Sequence, residues 1–151
     1  MPHGASTSSS AAATERSGAA LAAQLRPGDV VLLEGDLAAG KTTLVRGLVA
    51  GLGGSVEDVS SPSFVLVQSY PCAAAGIERL HHVDLYRLAD RRAELRALGL
   101  EEILSDPAAV TAVEWPRDTL AAWIPTASRV WRVRLTLLDG GARRIEIAPP
   151  E

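Results

Sequence analysis

Four apolar residues, Val30-Val31-Leu32-Leu33, run through Glu34 into Gly35-Asp36-Leu37-Ala38-Ala39-Gly40-Lys41-Thr42, and a helical pattern follows from Lys41 to Ala50. A continuous apolar run this short predicts a strand buried on both faces, which ties the chain to a sheet covered by helices. The loop satisfies Gly-x4-Gly-Lys-Ser/Thr, the pattern of a phosphate-binding loop. Glycines let successive backbone N–H groups curl toward one centre, and the helix after them adds its positive N-terminal end. The lysine of such a loop reaches the β- and γ-phosphates, and the Thr hydroxyl takes a place on Mg2+.

Basic residues sharpen the point. Of the 15 lysines and arginines, Lys41 is the lone lysine. It stands where a compact ammonium must fit between phosphate oxygens and a wide, planar guanidinium would not. The chain as a whole carries a formal net charge of -3 over 151 residues, which argues against a protein that grips nucleic acid mainly by its phosphates. A single cysteine, Cys72, excludes an intramolecular disulfide and a paired-cysteine metal site. No apolar run is long enough for a membrane-spanning helix, and the N-terminus lacks a basic segment leading into an apolar one. A cytoplasmic protein with one nucleotide-binding domain at residues 14–151 is expected. The Ser/Ala-rich residues 1–13 read as a flexible tail.

Elsewhere the pattern alternates. A helix is expected from an N-cap at Thr14 to Pro27-Gly28, strands at Phe64–Ser69, Leu80–Val83 and Ala109–Val113, and helices at Asp90–Leu98 and Leu100–Leu104. Gly51 sits where a C-cap glycine would end the helix begun at Lys41. Val130–Leu137 and Arg143–Ile147 flank Asp139-Gly140-Gly141 as a hairpin. These elements predict an α/β layered domain with a largely parallel sheet and an antiparallel edge.

A nucleotide-hydrolysing loop also needs a carboxylate at the end of a neighbouring strand, to orient the metal or the attacking water. Asp84, which closes Leu80-His81-His82-Val83, and Glu114, which closes the apolar run Ala109–Val113, are both candidates, Glu114 with the better run-up. Other features have two readings each. Ser61-Pro62-Ser63 reads as a γ-phosphate sensor or as plain strand entry. His82 reads as a packed strand residue more readily than as a base. Arg91, Arg92 and Arg96 suit a solvated helix face better than a lid, while Trp123 and Trp131 suit the core or an interface.

Several motifs occur in order: Gly35-Asp36-Leu37, Gly40-Lys41-Thr42-Thr43-Leu44, Ser61-Pro62-Ser63-Phe64, His82-Val83-Asp84-Leu85-Tyr86-Arg87-Leu88, Leu98-Gly99-Leu100-Glu101-Glu102 and Glu114-Trp115-Pro116. Together they resemble the bacterial TsaE family of tRNA threonylcarbamoyl-adenosine biosynthesis. The resemblance implies a three-layer phosphate-binding-loop fold, Mg2+-dependent ATP hydrolysis and work alongside TsaD and TsaB, with tRNA reached only indirectly or weakly. It implies catalytic roles for Lys41, Asp84 and Glu114, and Mg2+ ligation by Thr42 and Glu114. Nucleotide contacts are implied for Thr14, Asp36, Leu37, Ala38, Ala39, Gly40, Lys41, Thr42, Thr43, Trp115 and Arg143. Two departures stand out: Ala38 where the family usually has glycine, and Ser63 where it usually has threonine. A small-molecule kinase and a non-catalytic nucleotide-gated binding module are the alternative functions.

Overall fold

The computed structural model describes residues 4–36, 38–59, 67–86, 96–116 and 118–151. They form a seven-stranded mixed sheet: β1 (Gly4–Ser8), β2 (Val30–Glu34), β3 (Val67–Ala74), β4 (Ile77–Asp84), β5 (Ala109–Glu114), β6 (Val130–Leu137) and β7 (Arg143–Ala148). The order across it is β1-β7-β6-β2-β5-β4-β3. The centre is parallel, β2 pairing with β5 and β6 and β4 pairing with β5, and both edges are antiparallel.

Alternation along β2 explains the layering. Val31 and Leu33 enter a core made with α1 (Ala11–Ala22) and α2 (Lys41–Gly51). Val30 and Leu32 enter a second core on the opposite face with Leu100 and Leu104 of α3 (Leu100–Leu104) and Leu120. A strand buried on both sides is therefore apolar without interruption, as expected for a central parallel strand. No helix among the described residues is long and apolar enough to cross a membrane.

The expected strands at Leu80–Val83, Ala109–Val113, Val130–Leu137 and Arg143–Ile147 all form, as does the turn at Asp139–Gly141. Three local expectations are corrected. Gly4–Ser8 is edge strand β1, hydrogen-bonded to β7 in the register Gly4↔Ile147 to Ser8↔Arg143, and not part of a loose tail. The cap of α1 is Ser10, whose side chain accepts from Ala13 N, while Thr14 lies buried inside the helix. Gly51 ends α2 without capping it. A Cβ there would stand 2.7 Å from the Ala22 Cβ, so the glycine is present for close packing of α1 on α2. Ser61-Pro62-Ser63, residues 64–66 of the strand expected at Phe64–Ser69 and most of the expected helix at 90–98, with Arg91 and Arg92, lie outside the described residues.

At the end of the sheet away from the loop, Asp29 anchors the start of β2. Its carboxylate accepts from Arg129 at 3.0 and 2.9 Å and from Trp131 Nε1 at 3.0 Å, so Trp131 serves the core. Trp123 packs half-buried against the second core.

Candidate functional site

The parallel strands bring three acids to one edge. Glu34 ends β2, Asp84 ends β4 and Glu114 ends β5, with Leu33 and Asp84 both in register with Glu114. In an open α/β sheet the carboxyl ends of the strands are where ligands gather. The loop of residues 35–40 leaves β2 at this edge and turns into α2 through Gly40, which has φ 102°. Gly35 is required by space as well, since a Cβ would meet the Leu135 carbonyl oxygen at 2.5 Å. Ala38 holds φ at 65°, the left-handed region that glycine occupies without penalty. Arg143 reaches across from β7 and donates through Nη2 to Ala38 O at 3.2 Å.

Lys41 is the first residue of α2 and is buried. Its ammonium donates to Gly35 O at 2.5 Å and Asp36 O at 2.9 Å, and it stands 4.0 Å from the centroid of the Trp115 ring. Burial pushes the ammonium below the ordinary lysine range, against the raising fields of Glu114, Asp84 and Asp36. The loop's own carbonyls thus hold the cation in place.

Next to it, the Thr42 hydroxyl donates to Glu114 Oε2 at 3.1 Å, and His82 Nε2 stands 2.5 Å from that same oxygen. Asp84 is buried and its Oδ1 accepts from Tyr86 N at 2.9 Å, which fixes the carboxylate at the strand end. Tyr86 stacks obliquely on Trp115 at 4.8 Å between ring centroids. Together these residues surround a cleft of about 340 Å³ lined by Ala38, Gly40, Lys41, Thr42, Thr43, Asp84, Tyr86, Glu114, Trp115 and Arg143.

The fold therefore gathers Lys41, Asp84 and Glu114, and it places Ala38, Gly40, Thr42, Thr43, Trp115 and Arg143 around the same space. Other expected nucleotide contacts stand differently. Asp36 faces a neighbouring cavity of about 380 Å³, shared with Gly35, Trp115 and Arg134. The Ala39 side chain is buried in the core, and its N–H is spent on Asp36 O at 3.1 Å. Thr14 is behind the loop and not in the cleft lining; its hydroxyl is 2.7 Å from Ser8 Oγ. Leu37 lies outside the described residues. Two residues beside the cleft stand out less in the sequence: Tyr86 carries no role of its own there, and His82 reads as a packed strand residue more readily than as a base. The signal for His82 is its place two residues before Asp84, which puts both on one face of β4.

Chemically, the edge offers one buried cation, a helix N-terminus and hard oxygen donors. Among the described residues no cluster of three or more His, Cys, Asp or Glu could hold a metal by itself. Mg2+ is a cation that needs only one or two protein oxygens, with phosphates and water supplying the rest. Thr42 and Glu114 could provide those oxygens. A hydroxyl that gives its proton to Glu114 keeps its lone pairs for a cation.

Residues 8–145 match the family model described as "Threonylcarbamoyl adenosine biosynthesis protein TsaE". A tRNA threonylcarbamoyladenosine biosynthesis protein TsaE from a Nostoc species is 40% identical over 136 residues, 87% of this chain and 77% of the relative. The relative of that name from Streptomyces coelicolor is 48% identical over 98 residues, and the match spans 65% of this chain and 64% of the relative's length. Among solved structures, the crystal structure of Bacillus subtilis YdiB superposes with a TM-score of 0.70 at 26% identity, covering 97% of this chain and 85% of that one.

Proposed function

We propose, from the premise that this chain belongs to the TsaE family, that its cleft binds ATP with Mg2+ and hydrolyses it in the service of tRNA threonylcarbamoyl-adenosine formation. The observation that carries this reading is the bond from Thr42 on α2 to Glu114 at the end of β5, made beside Lys41. It joins the three functional parts of a phosphate-binding loop in one place.

In this reading Lys41 exchanges the Gly35 and Asp36 carbonyls for phosphate oxygens and neutralises charge that develops on them. The N–H groups of the first turn of α2 bind the phosphates. Thr42 and Glu114 would hold Mg2+, which when bound would neutralise phosphate charge. Asp84, fixed by Tyr86 N, orients the water that attacks the γ-phosphorus as the bond to the bridging oxygen breaks. Trp115 and Tyr86 wall the cleft against bulk water.

The acidic net charge of -3 supports a role through protein partners, TsaD and TsaB, with tRNA reached through them. Hydrolysis then resets the transferase after each cycle. The test is reconstituted tRNA modification with TsaD and TsaB. Wild-type protein supports many rounds per complex, and Lys41→Ala supports no more than one. Sustained turnover with Lys41→Ala would refute the proposal.

A further inference from the structure

His82 carries no role in the site as described so far, and its surroundings are those of a functional group more than of a filler. It is fully buried on β4, two residues before Asp84. Its Nε2 is 2.5 Å from Glu114 Oε2, the oxygen that also accepts from Thr42. A carboxylate offers only acceptors, so Nε2 carries the hydrogen and donates. In that tautomer Nδ1 is a bare lone pair, and it is buried with no hydrogen-bond partner among the described residues. A ring chosen for packing alone would be better as a hydrocarbon, because the unmet nitrogen is unfavourable. The contact with Glu114 is what the imidazole adds.

We infer that His82 is a positioning residue for Glu114. The terminal torsion of a Glu side chain has a broad, shallow preference, so a lone carboxylate at a strand end swings easily. Two donors on one oxygen remove that freedom. One of the two, Thr42, is also the hydroxyl assigned above to Mg2+, whereas His82 sits behind the carboxylate on the neighbouring strand and has no other duty. His82 therefore keeps Glu114 aligned while the cleft fills and empties. Partners of this kind, which orient the groups that hold a metal, set metal affinity as strongly as some ligands do. The inference rests on the reading of Glu114 proposed above.

Two amides separate positioning from packing. The amide nitrogen of His82→Gln reaches about as far as Nε2, and that of His82→Asn only about as far as Nδ1. Both lose the ring equally. ADP affinity is measured by calorimetry with and without Mg2+, and kcat and KM for ATP are measured with TsaD and TsaB present. His82→Asn is expected to lose about 10- to 100-fold of the Mg2+-dependent gain in affinity and of kcat. Metal-free ADP affinity stays unchanged, and His82→Gln recovers most of both losses. In a Glu114→Gln background His82→Asn adds nothing further, since the two changes remove one interaction. Equal behaviour of the two amides, or a full additional loss in the Glu114→Gln background, overturns the inference. Wild-type protein whose ADP affinity ignores Mg2+ would instead overturn the reading of Glu114 itself, and the inference with it.

Discussion

The ammonium of Lys41 faces the ring of Trp115 at 4.0 Å, and the Trp115 backbone takes a left-handed φ of 57° to put the ring there. A bulky residue in that region is strained, and such strain gathers at functional sites. Burial lowers the Lys41 pKa from 10.5. Between the lowered value and 10.5 the unfolded chain holds a proton that the folded chain has released, so this group's contribution to stability rises with pH across that window. Because the chain has one lysine, a lysine-labelled sample gives a single ε-CH2 resonance to follow. The titration is expected to begin below the ordinary lysine range and to move up when ADP binds. Lys41→Met should lack the alkaline rise in stability seen in the wild type.

Ala38 holds φ at 65°, and the side chain in that conformation costs on the order of 1–2 kcal/mol. Part of the gain from glycine is offset by the greater freedom of the unfolded chain. Ala38→Gly should raise stability by about 0.5–1 kcal/mol, or Tm by about 1–4 °C. Calorimetric melting checks this, and an unchanged or lowered Tm would contradict the strain.

Strand β1 borders the site indirectly. Ser8 is paired with Arg143, the residue that reaches Ala38 O, and the Ser8 hydroxyl meets Thr14 behind the loop. Deleting residues 1–8 should lower Tm and weaken ADP binding several-fold, on the order of one lost charged hydrogen bond. Fluorescent-nucleotide titration of the shortened chain measures the second effect.

Legibility in the sequence follows how local the cause is. β2 and β5 read as strands because burial on both faces writes an apolar run into the residues themselves. The phosphate-binding loop is legible for a similar reason, since backbone curvature demands Gly35 and Gly40 at fixed spacing. Gly4–Ser8 carries no such mark: its residues are small and mostly exposed, and its strand character comes from pairing with β7 at the far end of the chain. His82 is illegible as a partner of Glu114 for the same reason, because the contact crosses from β4 to β5. Ser10 displaces Thr14 as the cap once the chain leaves β1 in that direction.

Away from the cleft, Asp106 ties β4 to the loop before β5. Its Oδ2 accepts from Arg79 at 2.8 Å and stands 2.9 Å from His81 Nε2, whose other nitrogen is 2.6 Å from Ser69 Oγ. Desolvation opposes its ionisation, but the His81 and Ala108 N hydrogen bonds and the Arg79 charge prevail and hold the carboxyl below its ordinary 3.8. A depressed carboxyl contributes stability that is complete above the unfolded value and is lost as pH falls through the folded one. Asp106→Asn should therefore cost about 1 kcal/mol at neutral pH. It should also flatten the loss of stability below pH 3.8, which urea unfolding at several pH values would show.

ATP hydrolysis in this cleft is measured as phosphate release by the purified chain, with Mg2+ and with TsaD and TsaB present. Steady release is expected that requires Mg2+ and falls by at least about 100-fold in both Lys41→Ala and Glu114→Ala. Release that continues at the wild-type rate in either variant, or none from the wild type with its partners present, would contradict it.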